Sequence, residues 1–74
     1  MTRLPTLNAR KIIQALEQAG FVFDRQNGSH FILRHPTARR TTCVPKHGKD
    51  IKRSLMKDIL RQAGLTEDEF RNLL

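Results

Sequence analysis

The sequence predicts a single α+β domain in which one helix precedes three antiparallel strands, a second helix and a short helical tail. Apolar residues recur at helical spacing in residues 9–19 and 51–63, and strand-forming residues alternate with polar ones between these segments. The length of 74 residues allows one domain with a thin core, which excludes a large multidomain enzyme and an enclosed pocket for a big organic cofactor. Two helices on one face of a three-stranded sheet would bury such a core.

The first helix is predicted to begin after Asn8, because an asparagine side chain accepts hydrogen bonds from the first free backbone N–H groups. Its apolar stripe consists of Ala9, Ile12, Ile13, Leu16 and Ala19. Gly20 follows this stripe and is predicted to end the helix.

Three short strands are predicted next, joined as an antiparallel meander. The first begins at Phe21, and Asn27-Gly28 after it is the residue pair typical of a two-residue hairpin turn. The second strand covers residues 29–35 and the third covers residues 40–44, where Pro45 ends it because proline cannot continue a ladder of hydrogen bonds.

The C-terminal third of the chain predicts two helices. Asp50 is the expected cap of the second helix, and Gly64 is its expected end. Its apolar face consists of Ile51, Leu55, Met56, Ile59, Leu60 and Ala63. Residues 66–69 have the form of a capping box, which predicts a last helix reaching Leu73 and Leu74. This α-β-β-β-α order matches the fold class of double-stranded-RNA-binding domains, although topology alone does not define function.

The charge of the chain predicts a polyanionic partner. Fourteen Lys+Arg residues against seven Asp+Glu residues leave a net charge of +7, for which nucleic acid is the expected counterpart. The chain has no Tyr or Trp, and its four Phe are expected mostly in the core, so contacts to the RNA backbone are favoured over base stacking. Basic residues cluster at Arg39 and Arg40, at Lys46 and Lys49, and at Arg53, Lys57 and Arg61.

The expected location is a reducing cytosol. Cys43 is the only cysteine, so it has no partner within the chain for a disulfide. The sequence has no apolar run of the ~20 residues that a membrane span needs, and its first residues do not resemble a secretion signal.

His30 is the first candidate for chemistry. Strand alternation directs Phe31 and Leu33 to the core, which leaves His30, Ile32 and Arg34 on the open face of the sheet. An imidazole has an ordinary pKa of about 6.5 and exchanges protons at neutral pH, so this pattern is consistent with phosphate chemistry. An exposed polar strand residue without a function is the alternative, and the residues themselves leave both open.

The other histidines and the cysteine receive weaker interpretations. His47 lies between Lys46 and Lys49 and is a second proton-transfer group, an RNA-backbone donor or a solvated loop residue. His35 shares the parity of the core residues and is interpreted as structural. The spacing of these histidines and Cys43 does not resemble a structural zinc site, and Cys43 is interpreted as a buried thiol in a strand.

Several short motifs occur together in one order along the chain. They are Ala19-Gly20-Phe21, Arg25, Gly28-Ser29-His30, His35-Pro36, Val44-Pro45 with His47, and Leu55…Ile59-Leu60…Ala63-Gly64-Leu65. In this order they resemble the HicA-type mRNA interferase toxins of prokaryotic toxin–antitoxin pairs, from about Leu7 to Phe70. The sequence departs from the pattern at Arg53-Ser54, where the family has a Gly-Thr pair.

The resemblance implies a double-stranded-RNA-binding-like fold, ribonuclease activity centred on His30, and a HicB-type antitoxin that covers the active face. We therefore expect residues 1–74 to form one RNA-binding and ribonuclease domain that cleaves mRNA without metal or cofactor. The expected RNA contacts are Gly28, Ser29, Arg34, Lys46, His47, Lys49, Arg53 and Lys57. Two alternatives are a non-catalytic RNA-binding module and a small protein-interaction domain.

Overall fold

The computed structural model describes residues 6–46 and 50–74, and its elements follow the predicted order. They are α1 (Ala9–Gln18), β1 (Val22–Asn27), β2 (His30–His35), β3 (Arg40–Pro45), α2 (Arg53–Ala63) and α3 (Glu67–Arg71). The prediction of an α+β domain with a three-stranded antiparallel sheet and a short C-terminal helix is confirmed. In the described ranges, no helix is long and apolar enough to cross a membrane.

The strands lie in the order β1-β2-β3, and the helices cover one face of the sheet unevenly. Leu33 of β2 and Val44 of β3 are fully buried against α1, α2 and α3. Every residue of β1 is exposed, because both helices pack nearer to β3 than to β1. The core therefore lies under β2 and β3, and one edge of the sheet is left uncovered.

The predicted cap of α1 is present. The Asn8 side chain accepts a hydrogen bond from the Lys11 N–H at 2.9 Å. The buried side of the helix carries Ala9, Ile12, Ala15 and Leu16. Helical geometry ends at Ala19, and Gly20 follows with a φ of +104°. These contacts confirm the predicted bounds. Of the predicted apolar stripe, Ala9, Ile12 and Leu16 are buried, whereas Ile13 and Ala19 are half-buried and pack against the core.

The hairpin turn lies one residue later than its sequence predicted. Asn27 pairs with His30 as the last residue of β1, so the two turn residues are Gly28 and Ser29. Gly28 has a φ of +63°, as expected at the first position of a type II′ hairpin. Phe21, predicted to start β1, lies before it and is buried in the core.

The start of α2 also differs from the prediction, since Asp50 does not cap it. The helix begins at Arg53 because Ile51 is held in an extended bridge, with its N–H donating to the Leu7 carbonyl at 2.8 Å. Leu55 is 37% exposed and so does not belong to the buried face.

The last helix is capped as predicted but is shorter. Thr66 and Glu69 form the reciprocal bonds of a capping box, at 3.1 Å and 2.8 Å. The helix ends at Arg71, whereas the prediction extended it to Leu73 and Leu74. Leu73 packs against the core, and Leu74 is 53% exposed.

Candidate active site and nucleic-acid interface

His30 is the first residue of β2 and follows the Gly28–Ser29 turn directly. It pairs with Asn27 on one side and with Pro45 on the other, so the sheet holds its backbone on both sides. Burial along β2 agrees with the prediction at three positions, since Leu33 is fully buried and His30 and Arg34 are exposed. Phe31 and Ile32, predicted to point to opposite faces, are both half-buried. The imidazole is thus accessible to solvent, while the backbone that carries it is fixed by pairing in the sheet.

A cleft of about 290 Å³ lies beside His30, between the sheet and α2. Its other walls are Cys43 and Pro45 from β3, and Leu55, Asp58, Ile59 and Gln62 from α2. His30 is exposed, in agreement with the prediction, and α2 bounds the cleft beside it on the β3 side. The helix reaches it because β3 is the edge strand and α2 packs along it.

Two polar side chains of α2 face the cleft, and the sequence interpretation gave neither a role. The buried Thr42 hydroxyl donates to Gln62 Oε1 at 3.0 Å, which leaves the Gln62 amide nitrogen as the group that donates into the cleft. Asp58 is exposed and lies 3.4 Å from the Arg61 guanidinium. Asp58 and Gln62 are four residues apart, so they lie on one side of the helix, and helical periodicity in the sequence could have indicated this.

Cys43 lines the same cleft but is poorly suited to act as a nucleophile. It is half-buried, and desolvation raises the pKa of its thiol. A raised pKa keeps the thiol protonated at neutral pH, and the thiolate is the reactive form. Cys43 lies in a strand as predicted, but it is half-buried and not the buried thiol that the sequence suggested.

His35 lies on the opposite side of β2 and makes structural contacts. Its Nδ1 accepts a hydrogen bond from the Ala38 N–H at 3.0 Å, and its ring meets Phe21 edge-to-face with centroids 5.2 Å apart. Within residues 6–46 and 50–74, no three His, Cys, Asp or Glu side chains come together as a metal site.

The predicted basic contacts are spread around the site. Arg34 lies four residues along the strand from His30, about 13 Å at strand spacing, which suits a neighbouring phosphate better than the same one. Arg53 and Lys57 are exposed on α2. His47 and Lys49 lie outside the described residues, so their predicted roles have no structural counterpart here.

Lys46 joins the ends of β2 and β3. Its N–H donates to the Ser29 carbonyl, and its ammonium lies over the Phe31 ring, 5.5 Å from the centroid. Gly28 is held by the Gln26 side chain, which donates to its carbonyl at 3.0 Å. The turn before His30 is therefore held by hydrogen bonds from Gln26 of β1 and from Lys46, which follows β3.

The chain matches a protein-family model. Residues 9–65 match the family model described as the HicA toxin of bacterial toxin–antitoxin systems, a range that runs from α1 through α2 and includes the Gly28-Ser29-His30 segment. No curated protein matches the chain.

Proposed function

The chain belongs to the HicA toxin family of bacterial toxin–antitoxin systems, and from this premise we propose that it is an endoribonuclease that cleaves mRNA with His30 as general acid or base. A cognate antitoxin is the partner that membership of this family implies. The observation that carries the proposal is an exposed histidine, held by a tight turn and two paired strands, beside a mostly apolar cleft that also contains the polar side chains of Asp58 and Gln62.

The proposed reaction uses the RNA as its own nucleophile. The 2′-oxygen forms a bond to phosphorus while the bond from phosphorus to the 5′-oxygen breaks. A base takes the 2′-hydroxyl proton and an acid protonates the leaving 5′-oxygen, so the products end in a cyclic phosphate and a 5′-hydroxyl. An imidazole can perform either transfer, and each is worth about 10²–10⁴-fold. We therefore expect slow cleavage from one histidine.

Two cleft residues support this chemistry. The Gln62 amide, oriented by Thr42, is a neutral donor for the charge that develops on the phosphate oxygens. The Asp58 carboxylate repels a phosphate, so its favourable role in the cleft is to accept a hydrogen bond from an N–H of the His30 imidazole and position the ring. Ser29 and Gly28 supply the tight turn and a backbone approach to the phosphate.

The surrounding cations fit an RNA chain rather than a small phosphate ester. Arg34, Lys46, Arg53 and Lys57 lie on several sides of His30 and would contact successive phosphates. The net charge of +7 supplies long-range attraction, so RNA affinity should fall steeply with salt. We propose that the toxin acts on mRNA in the cytoplasm and that a HicB-type antitoxin covers the face with His30.

The test compares the wild type with His30→Ala and His30→Asn on a long single-stranded RNA in EDTA. Circular dichroism checks that each protein is folded. We expect cleavage by the wild type alone, with cyclic-phosphate ends, and resistance of an RNA whose cleaved position carries a 2′-deoxy nucleotide. Unchanged cleavage by a folded His30→Ala protein would contradict the proposal. Intact RNA with every protein, together with a salt-sensitive gel shift, would instead indicate a non-catalytic RNA-binding module.

A further inference from the structure

A second and larger cleft lies on the helix side of the sheet. It has a volume of about 580 Å³, which is within the range of small-molecule sites, and it separates α1 from the start of β2. Ile13 and Phe31 form its apolar floor, Asn8 and Gln14 contribute amide groups, and Arg10 and Lys46 supply positive charge.

The aromatic residue at this cleft is less enclosed than its sequence suggested. The four Phe were expected mostly in the core, and Phe21 and Phe70 are buried there, at 3% and 0% exposed. Phe31 is half-buried and lines the cleft. Phe23 is 53% exposed, and its ring meets that of Phe31 edge-to-face with centroids 6.0 Å apart. Phe31 therefore offers a partly accessible aromatic ring to the cleft.

We propose that this cleft binds one unstacked nucleobase of single-stranded RNA, next to the phosphate at His30. The inference rests on the proposed function, since it assumes that RNA is the substrate. An aromatic ring provides a stacking surface for any base, and amide groups pair with base edges. The mixture of aromatic, amide and cationic groups here fits a nucleotide better than it fits a purely apolar ligand.

The two clefts meet at one end of the sheet. His30 and Phe31 are consecutive residues whose side chains point to opposite faces of the sheet. Pro45 pairs with His30, and the N–H of the next residue, Lys46, donates a hydrogen bond to the Ser29 carbonyl. An RNA strand that crosses this end of the sheet can therefore place a phosphate at His30 and the adjoining base against Phe31. Neighbouring nucleotides occupy the two sites.

Charge within the cleft favours one orientation of the nucleotide. The first turn of α1 reads Ala9-Arg10-Lys11, and its positive helix end adds to the charge of Lys46. Glu17 faces the cleft about two helical turns away from Arg10. The phosphate of the nucleotide whose base binds in this cleft is thus directed toward the N-terminal end of α1, and an amino group of that base is directed toward Glu17.

Fluorescence anisotropy with short single-stranded RNAs, each lacking the base at one position, tests the proposal. Measurements use the His30→Ala protein, which should bind without cleaving. Base–aromatic stacking of ordinary strength predicts that removing the base at one particular position weakens binding about tenfold. Adding Phe31→Leu should abolish this preference, whereas Phe31→Tyr should retain it. Neither change should alter the salt dependence of binding, because no charge is removed. If Phe31→Leu does not fold, Phe23→Leu at an exposed position removes the ring that meets Phe31 edge-to-face and should weaken the preference.

Equal affinity for the complete RNA and for every RNA with a missing base would overturn the inference. So would a Phe31→Leu protein that still discriminates between them. If the wild type cleaves RNA but no position shows a base preference, the inference fails and the proposed function survives. RNA that is neither bound nor cleaved would overturn both. A cleft variant that loses affinity for the antitoxin alone would assign the cleft to protein docking, which also contradicts the inference.

Discussion

Substitution of Gly20 by alanine is expected to damage the fold more than the same substitution at Gly28. Both glycines have positive φ, +104° at Gly20 and +63° at Gly28. A Cβ at position 20 would lie 2.6 Å from Nε2 of the His35 ring, whereas at position 28 no heavy atom of the described residues lies within 4 Å of it. Both variants therefore pay the cost of a side chain at positive φ, and only Gly20→Ala adds a steric clash with the His35 ring.

The expected magnitudes follow from these contacts. A side chain in the left-handed region costs about 1–2 kcal/mol, which is the whole effect at Gly28. At Gly20 the His35 ring must also move, and it then gives up its edge contact with Phe21 and its bond from the Ala38 N–H. Each of these is worth roughly 0.5–1.5 kcal/mol, so Gly20→Ala should cost about 2–5 kcal/mol in total.

Urea and thermal unfolding measure both variants, and a double-mutant cycle isolates the clash. For a domain of this size, 1 kcal/mol corresponds to roughly 4–8 °C in Tm. In a His35→Ala background the ring is absent, so Gly20→Ala should cost only about 1–2 kcal/mol. An equal cost of Gly20→Ala in both backgrounds would refute the reasoning, as would a smaller effect than that of Gly28→Ala.

Four further outcomes are expected. Asp58→Asn should slow RNA cleavage severalfold while RNA affinity stays equal or rises. The control Asp68→Asn on α3 should change neither the cleavage rate nor the affinity. Parallel losses of rate and affinity in Asp58→Asn would count against a positioning role for Asp58. Gln62→Ala should lower the cleavage rate by about 10²-fold or more if its amide stabilises the developing charge, with an unchanged salt dependence of binding. Lys57→Ala should reduce the slope of log affinity against log salt by about 1, and an unchanged slope would remove Lys57 from the interface. Iodoacetamide should alkylate Cys43 more slowly in the native than in the urea-unfolded protein at neutral pH, because burial raises the pKa of the native thiol. As pH rises, the thiol of the unfolded protein ionises before that of the native protein, so the contribution of Cys43 to the free energy of unfolding falls at alkaline pH.

The elements were predictable because each depends on neighbours in sequence. The bond from the Lys11 N–H to Asn8 and the capping box of Thr66 and Glu69 connect residues three apart, so local spacing suffices to recognise them. The alternation that exposes His30 and buries Leu33 is likewise a property of one strand. The candidate catalytic residue was therefore found without a structure.

The errors occurred where distant segments compete for the same residues. Asp50 has the chemistry of a helix cap, but the bridge between Ile51 and Leu7 holds the chain extended there and delays α2. Asn27 suits a turn, but its pairing with His30 places the turn at Gly28 and Ser29 instead. In both cases a partner on another segment overrides a local preference.

The sequence by itself determined the order of the elements, the opposite directions of His30 and Leu33 on β2, and the accessible position of His30. Only the tertiary structure decided which residues surround it. Three strands span about 10 Å between their outer axes, whereas each helix is about 10 Å wide, so two helices side by side exceed the width of the sheet. Because both pack toward β3, α2 extends past that edge and brings Asp58 and Gln62 to His30. The same displacement uncovers β1, leaves Phe31 half-buried at the second cleft and leaves Phe23 exposed on β1. Periodicity specifies which face of the sheet a residue lies on, but not how far a neighbouring helix covers it.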